Sequence, residues 1–530
     1  MQRSLVIHKN GKVYVKEECD LDYIIEGELC KFATVEKMPT FIHTYSINKY
    51  SLWSAAVMRM TGEYIIDFLK KNAINEVPSE VESLIKNTIK DFWTLNLYIG
   101  TNIVLEGKEA AIDRLKKDSD ICNIAINTSI NNKIFFQINN LSVLKNILIN
   151  YNIYLVEVVE NVSFSDLQVN TNVKLYAYQA EAIKQFVKYN KGVIQIPPGG
   201  GKTLIALKII EHCKAKALVF LKDKESYETW KNEILDKTNL NSEDISFNKL
   251  QSNKKINICT YRYAVRHLDS LELNLMWGII IYDDANGLLA DKSQELAYIS
   301  SKYKLAMDSI FKRSDNNEYL IFKLIGAMIF NLTIKKLEVV YNQSKVICTV
   351  VKVPFEPWDL EDEANENHTV SKNINKIHTV HLLDRLHDKS KMVMVSYFLK
   401  PAHKIGEELN IKVIDGRQES DRLAIAESFN LGKIDKVIFT DVIEKMALKD
   451  IDILIALSYK GSSEREEYLR IGKLKSSNGF SDKVGYYYAF VSEKTKEERI
   501  YYETVGKICK YGYEFKIINL EKLRGELNEI

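Results

Sequence analysis

Residues 192–203 read GVIQIPPGGGKT, an apolar run that enters a turn of three glycines and leaves it into a helical pattern. Glycines allow successive backbone N–H groups to converge on phosphate oxygens, and the N-terminus of the following helix favours negative charge. Lys202 would supply a positive charge, and Thr203 a hydroxyl for Mg²⁺. The segment predicts a nucleoside-triphosphate-binding loop, against the alternative of an ordinary glycine-rich turn. The predicted contacts are Pro198, Gly199, Gly200, Gly201, Lys202 and Thr203.

Composition places the chain among multidomain proteins with reduced thiols. Its 530 residues carry a formal net charge of +2, so any basic surface for nucleic acid would be local. Its 7 cysteines include no CxxC pair, which favours a cytosolic or nuclear protein and argues against a zinc site. The first residues become polar too early for a signal peptide, and no run approaches the roughly 18 apolar residues of a membrane span. We therefore expect no membrane partner.

The pattern of predicted strands and helices changes near residue 173. Short strands mix with amphipathic helices before it, whereas buried strands alternate with helices after it, which is typical of parallel sheets. We predict an α/β protein in which two tandem RecA-like domains follow α+β N-terminal domains. The predicted regions are 1–110 (N-terminal domain for partner binding), 111–172 (α+β module and linker), 173–335 (first RecA-like domain), 336–385 (inter-domain region) and 386–530 (second RecA-like domain).

Two carboxylates follow a buried strand predicted downstream of the glycine turn. Asp283 and Asp284 end the apolar run 278–282, at the carboxyl end of a strand, where α/β proteins place their sites. Asp283 would orient Mg²⁺, and Asp284 would act as a general base toward the attacking water. The alternative is an acidic turn between a strand and a helix.

These motifs, in this order, resemble the XPB helicase family, the superfamily 2 DNA translocases of the transcription and repair factor TFIIH. Further segments carry the resemblance over nearly the whole chain: PTFIHTY from Pro39, YSLWSAA from Tyr50, WGIIIYD from Trp277 and KYGYEFKII from Lys510. The resemblance implies ATP-driven 3′–5′ movement on double-stranded DNA in the nucleus, in promoter opening and nucleotide excision repair. It implies ATP and Mg²⁺ as cofactors, and it implies that residues 1–110 dock a p52-like TFIIH subunit.

The resemblance also implies roles for residues outside the glycine turn. Gln179 stands at the spacing of a helicase element that contacts adenine, although it could instead begin an ordinary amphipathic helix. Trp230 and Thr260 occupy positions where helicases touch the nucleic-acid backbone, although an aromatic side chain there could belong to the core. DNA binding, or the coupling of hydrolysis to movement, is further implied for Ser309, Arg313, Asp315, Arg470 and Lys473.

Several family motifs are altered in this chain. The DEVH box reads DDAN from Asp283, the Thr-Ala-Thr motif reads DSI from Asp308, and Lys473 and Ser476 replace two late arginines. An arginine finger contributes about 10³–10⁵ in turnover in related phosphoryl transfer, and lysine lacks its bidentate geometry. The rival hypothesis is therefore a nucleotide-binding structural subunit of the same complex with slow or no turnover. An unrelated P-loop enzyme, such as a nucleotide kinase, is a third.

Overall fold

A computed structural model describes most of the chain and divides it into two units. The first unit comprises Met1–Glu36, Ile42–Ile196 and Gly201–Leu332, and the second comprises Lys37–Phe41, Pro197–Gly200 and Thr333–Ile530. Within the described residues, no helix has the length and apolar character needed to cross a membrane. The described residues are 3–16, 20, 23–38, 42–159, 168–268, 277–311, 320–341, 345–355, 373–387, 389–414, 419–440, 446, 448–459, 464–474 and 484–528.

The first unit begins with an antiparallel sheet of strand order β1-β2-β4-β3 and helices packed against it. Alternation along the second strand buries Val13 and Val15 while the lysines at its ends lie toward solvent, so one face of the sheet carries the core. Thr61 starts the third helix by accepting a hydrogen bond from the Tyr64 N–H. The elements are β1 (Leu5–Ile7), β2 (Lys12–Lys16), α1 (Ile24–Leu29), β3 (Thr34–Lys37), β4 (Ile42–Ser46), α2 (Lys49–Val57), α3 (Gly62–Asn72) and α4 (Ser79–Lys90).

A second α+β sheet follows, with strand order β7-β8-β6-β5-β9. Its first strand, β5, pairs with β6 in antiparallel and with β9 in parallel orientation. The boundary predicted at residue 110 therefore crosses this sheet, because β5 and β6 belong with strands that lie beyond it. The elements are β5 (Trp93–Ile99), β6 (Asn102–Glu106), α5 (Glu109–Leu115), α6 (Ser119–Ile124), β7 (Ala125–Asn127), β8 (Lys133–Gln137), α7 (Leu141–Leu148) and β9 (Ile153–Val159).

The glycine turn follows β10, a strand of a parallel sheet of order β12-β13-β11-β14-β15-β10-β16. Its central strands are buried on both faces by the flanking helices, which explains their unbroken apolar runs. In the register, Gln195 pairs with Asp308, and Asp283 pairs with Met307, so three strands end at the same edge. The elements are α8 (Ala177–Tyr189), β10 (Lys191–Gln195), α9 (Lys202–Cys213), β11 (Ala217–Leu221), α10 (Lys224–Lys237), β12 (Ile245–Phe247), β13 (Ile256–Thr260), α11 (Tyr261–Arg266), β14 (Trp277–Asp283), β15 (Ser301–Asp308), α12 (Leu320–Leu324) and β16 (Met328–Asn331).

The second unit contains another parallel sheet, of order β19-β20-β18-β21-β22-β17-β23. Its strand β17 pairs with both β22 and β23, so the segment predicted as the inter-domain region 336–385 contributes a strand to this sheet. The elements are α13 (Ile334–Val339), β17 (Val346–Val353), α14 (Asn375–Leu386), β18 (Met392–Val395), α15 (Leu399–Leu409), β19 (Lys412–Ile414), α16 (Glu419–Asn430), β20 (Lys436–Phe439), β21 (Ile453–Ala456), α17 (Glu464–Ile471), β22 (Gly485–Ser492), α18 (Lys496–Ile508), β23 (Phe515–Asn519) and α19 (Leu520–Asn528).

Two parallel-sheet domains thus follow an α+β N-terminal region. The fold class predicted from the sequence is confirmed.

Candidate nucleotide-binding site

The glycine turn joins β10 to the N-terminus of α9 through backbone that glycine adopts readily. Gly199 and Gly201 have φ of +76° and +75°, in the left-handed region where other residues are strained. A Cβ on Gly201 would lie 2.4 Å from Gln179 Nε2, so the Gln179 side chain would have to move to admit one. Among the described residues no side chain caps α9, and its first N–H groups have no partner within the helix.

Lys202 starts α9, and its ammonium group is held by a residue from another strand. Lys202 Nζ donates to Ser309 Oγ at 2.6 Å. Ser309 directly follows β15 and is buried, and its own N–H donates to Asp308 Oδ1 at 2.7 Å. The sequence predicted both residues as functional, but only the register of β10 beside β15 explains why they meet.

Asp283 ends β14 with hydrogen bonds to both carboxylate oxygens. Trp230 Nε1 donates to Asp283 Oδ2 at 2.8 Å, and the Asp284 N–H donates to Oδ1 at 3.1 Å. The Tyr261 hydroxyl donates to the Asp283 carbonyl oxygen at 3.0 Å. Burial first, and then the neighbouring Asp284, raise the pKa of Asp283 to about 6, against the opposing effects of Lys202 and the indole N–H. The carboxylate is therefore oriented, and its negative charge is poorly compensated within the protein.

Asp284 and Asn286 continue from this strand into a short turn. Asp284 has φ of +48°, an unusual conformation for a residue other than glycine, and such conformations concentrate at functional sites. The Asn286 side chain and N–H both donate to Asp308 Oδ2 at 3.0 Å. The altered DDAN and DSI motifs are thus bonded to each other across the ends of β14 and β15. The sequence shows both alterations but does not predict the contact between them. Polar residues at the ends of two neighbouring strands were the signal that could have indicated it.

Three residues predicted near ligands make contacts within the protein, and two of them, Trp230 and Gln179, are buried. Trp230 is only 1% exposed, so the indole lies in the core behind Asp283 and not on a surface for DNA. Thr260 caps α11 by accepting from the Tyr263 N–H at 3.2 Å. Gln179 is buried, and its Oε1 accepts from the Tyr176 N–H at 3.0 Å while its Nε2 faces Gly201. An aromatic or capping pattern in sequence cannot distinguish such roles from ligand contacts.

The remaining predicted residues lie elsewhere. Arg313 and Asp315 are outside the described residues. In the second unit, Arg470 is buried, and its Nη1 donates to Glu467 Oε2 at 2.8 Å. Lys473 Nζ donates to the Met446 carbonyl oxygen at 2.7 Å.

The arrangement at the edge of the first parallel sheet fits a nucleoside triphosphate. An uncapped helix N-terminus lies behind the glycine turn, and the Lys202 ammonium stands beside it, which together suit phosphate oxygens. The Asp283 carboxylate is oriented by two donors and lacks full charge compensation, which suits a divalent cation with oxygen ligands.

Comparison with known families covers most of the chain. Residues 5–129 match the family described as "Helicase conserved C-terminal domain". Residues 172–313 match "Type III restriction enzyme, res subunit". Residues 339–529 match "ERCC3/RAD25/XPB C-terminal helicase".

Individual relatives carry the same name at low identity. The "DNA 3'-5' helicase XPB" of Mycobacterium tuberculosis is 22% identical, with 98% of each chain covered. That of Kineococcus radiotolerans is 22% identical over 94% of this chain and 93% of the relative. The "General transcription and DNA repair factor IIH helicase/translocase subunit XPB" of Enterocytozoon bieneusi is 22% identical over 91% of this chain and 86% of the relative.

A solved structure supports the fold. The chain is similar to Saccharomyces cerevisiae Dbp5 bound to RNA and ADP BeF3, with a TM-score of 0.51 and 12% identity over 67% of this chain and 93% of that one. At this identity the likeness concerns the fold alone. The family matches and the relatives named XPB together confirm the resemblance found in the sequence: the chain is similar to XPB helicases over nearly its whole length at low identity, as a divergent member of that family would be.

Proposed function

We propose that this chain is an ATP-dependent 3′–5′ translocase that acts on double-stranded DNA within a TFIIH-type complex. The observation that carries the proposal is the meeting of Lys202, Ser309 and the oriented Asp283 carboxylate at one edge of a parallel sheet. Relatives named 3'-5' helicase, and a eukaryotic one named as a factor IIH subunit, support it. By that likeness the chain acts in the nucleus, in promoter opening and nucleotide excision repair.

The side chains of the site would have different roles toward phosphate, metal and water. ATP supplies the phosphoryl group whose transfer to water drives movement. Lys202, held by Ser309, and the N–H groups of the glycine turn would bind its phosphates, whereas the Thr203 hydroxyl and the Asp283 carboxylate would hold Mg²⁺. Asp284, next to Asp283 on a strained turn, would orient the attacking water. DNA would be gripped mainly through its phosphates, to which Arg313 remains a predicted contact.

A second candidate, a nucleotide-binding structural subunit with weak turnover, is favoured by the contacts of Arg470. Its guanidinium is bonded to Glu467 inside the second unit, and Glu467 also accepts from the Tyr487 and Tyr501 hydroxyls. An arginine in such a buried network stabilises the second unit, which favours a structural role over contact with a nucleotide. Lys473, bonded to a carbonyl, retains a charge but not the bidentate geometry of arginine.

Measurements of nucleotide binding and DNA-stimulated hydrolysis separate these candidates. The Lys202→Ala variant should lose binding of a fluorescent ATP analogue, whereas Lys208→Ala, at a partly exposed position of the same helix where Lys208 pairs with Glu211, should keep it. Affinity within about twofold of wild type for Lys202→Ala would refute the site. With binding established, hydrolysis of about 1–10² per second with duplex DNA supports the translocase, and a rate orders of magnitude lower supports the structural subunit.

We further propose that the N-terminal region, predicted as 1–110, binds a p52-like TFIIH subunit. The family resemblance supports this partner. A pull-down with the full chain and with a chain that lacks the N-terminal region tests it. Capture of the partner by the shortened chain would move the interface elsewhere.

A further inference from the structure

A buried group of charged side chains lies in the first unit, apart from the nucleotide-binding site. The ammonium groups of Lys145, Lys191 and Lys304 all lie 3.0–3.1 Å from carboxylate oxygens of Glu157. The four side chains, which we name the lysine cluster, are only 2–7% exposed. Three cations thus share one anion in the interior.

The register of the sheet creates this excess of positive charge. Lys191 opens β10 and pairs directly with Lys304 on the parallel strand β15, so their side chains point to the same face. Glu157 comes from β9 and Lys145 from α7, both of the second α+β sheet. The cluster therefore joins that sheet to the parallel sheet within the first unit.

The three ammonium groups are not equally satisfied. Lys145 Nζ donates to Glu157 Oε2, to the Tyr298 carbonyl oxygen and to Ser300 Oγ, at 2.8–3.1 Å. Lys304 Nζ donates to Glu157 Oε1 at 3.1 Å and to the Ala297 carbonyl oxygen at 2.8 Å. Within the described part of the chain, Lys191 Nζ is buried and makes no hydrogen bond, only its ion pair with Glu157.

Lys191, Lys145 and Glu157 line a cavity of about 40 Å³. A fourth cation, Lys323, borders the same cavity and donates to the Ile149 carbonyl oxygen at 2.9 Å. A water molecule needs roughly 10–15 Å³ on this measure, so the cavity has room for more than one water or for a small ion. The unsatisfied ammonium of Lys191 thus borders a space that can hold a ligand.

The charge balance favours an anion there. A buried charge is tolerated when it is neutralised by a partner, and one carboxylate carries too little negative charge to neutralise three ammonium groups. Burial raises the pKa of Glu157, but Lys145, Lys191 and Lys304 outweigh it and hold that pKa well below its usual value. Burial, and then the repulsion of Lys145 and Lys191, lower the pKa of Lys304 despite the attraction of Glu157. Glu157 is therefore ionised, and even if Lys304 is neutral two further lysines face this one carboxylate.

We propose that this cavity binds one small inorganic anion, which completes the hydrogen bonding of Lys191 and joins the second α+β sheet to the parallel sheet. The ligand class is set by cavity size and charge: chloride, or a single phosphate or sulfate ion. This site is independent of the proposed ATPase function, because it uses none of the residues of the glycine turn.

Thermal unfolding of the full chain in potassium gluconate at constant ionic strength tests the proposal. Chloride, sulfate and phosphate are titrated separately in a Lys202→Ala background, so that the glycine turn cannot account for phosphate binding. At least one anion should raise the Tm by roughly 2–5 °C, with saturation between 0.1 and 100 mM. Lys191→Met, which removes the unsatisfied ammonium, should abolish that rise.

Lys216→Met is the matched control, because Lys216 is a partly buried lysine whose Nζ bonds to the Ser252 carbonyl oxygen, away from the cavity. It should keep the full response to the anion. Crystals of the full chain soaked in bromide should show anomalous density beside Lys191 Nζ if chloride is the ligand. A Tm indifferent to all three anions, or an equal response in the Lys191→Met and Lys216→Met proteins, would overturn the proposal and leave the cavity to water.

Discussion

Trp230 shows how a residue can serve a site without touching a ligand. The family resemblance implies a nucleic-acid contact for this aromatic residue, yet the indole is buried and its N–H donates a hydrogen bond to Asp283. A second donor, the Asp284 N–H, holds the other oxygen of the same carboxylate. Such outer contacts fix the orientation of a metal-binding carboxylate and tune its affinity.

Replacing Trp230 by phenylalanine should therefore weaken the response of nucleotide binding to Mg²⁺. The change keeps an aromatic ring but removes the N–H that favours the ionised Asp283. The Mg²⁺ concentration needed for half-maximal binding of a fluorescent ATP analogue should rise by about 10-fold or more. Trp277→Phe is the control, since this buried indole on the same strand as Asp283 has no hydrogen-bond partner among the described residues. Equal Mg²⁺ curves for the two variants would contradict the role given to Trp230.

At this scale the sequence predicted the candidate residues better than their contacts. The glycine turn with Lys202 and the carboxylates after an apolar strand are local patterns, and the structure places both at one sheet edge. The bond between Lys202 and Ser309, and that between Asn286 and Asp308, join residues far apart in the chain. Those bonds depend on which strands are neighbours, and no local pattern specifies that.

Helix α17 carries Arg470, a residue that the family resemblance implies in DNA binding or coupling, in buried contacts within the second unit. Its Arg470 and Glu467 are one turn apart and buried, and two tyrosine hydroxyls complete the carboxylate's hydrogen bonds. Burial first, and then Glu467, raise the pKa of Tyr487 well above its usual value, so this phenol remains a donor at neutral pH. The helix is thus anchored to β22 and α18 through polar contacts.

The Arg470→Met variant should destabilise the second unit by about 3–5 kcal/mol, since it leaves Glu467 as a buried charge without its cationic partner. Urea unfolding measures this loss. Arg499→Met, at an exposed position of α18, should cost less than about 0.5 kcal/mol. At low temperature, where the variant stays folded, ATP hydrolysis should change by less than tenfold. A fall of 10³ or more in that rate would instead identify Arg470 as the arginine finger.

Elements were predicted more reliably than the sheets to which they belong. The strands after residue 173 were recognisable because parallel strands buried on both faces have unbroken apolar runs. The assignment of β5 and β6 to the N-terminal domain differs from the structure because apolar alternation reports that a strand has one buried face, but not what covers it. The prediction of an inter-domain region at 336–385 includes no strand, whereas the structure pairs β17 with β22.

For the whole molecule, the position of β5 decides where the N-terminal domain can be separated. The core of the first sheet and its helices draws its buried residues from Leu5 to Ile85, whereas Leu95 and Leu97 belong to the core of the next sheet. A fragment of residues 1–91 should be monomeric and unfold cooperatively. One of residues 1–110 should aggregate, since β5 and β6 would lack β8 and β9.

Light scattering after size-exclusion chromatography, together with circular dichroism, measures both outcomes. A fragment of residues 1–159 is the control, because it restores both partner strands and should again be monomeric. If the fragment of residues 1–110 is as soluble and cooperative as that of 1–91, the boundary before β5 is wrong.

The place of β17 in its sheet also determines when this strand can pair during synthesis of the protein. This strand leaves the ribosome about 140 residues before β22, its parallel partner, and at about 5–20 residues per second the interval is roughly 7–30 s. All strands of the sheets in the first unit have been synthesised by then. Val346–Val353 is still an apolar strand with unpaired edges, because β22 and β23 follow later in the chain. Nascent chains stalled between β17 and β22 should therefore recruit chaperones most strongly, and release of the C-terminal strands should end that dependence.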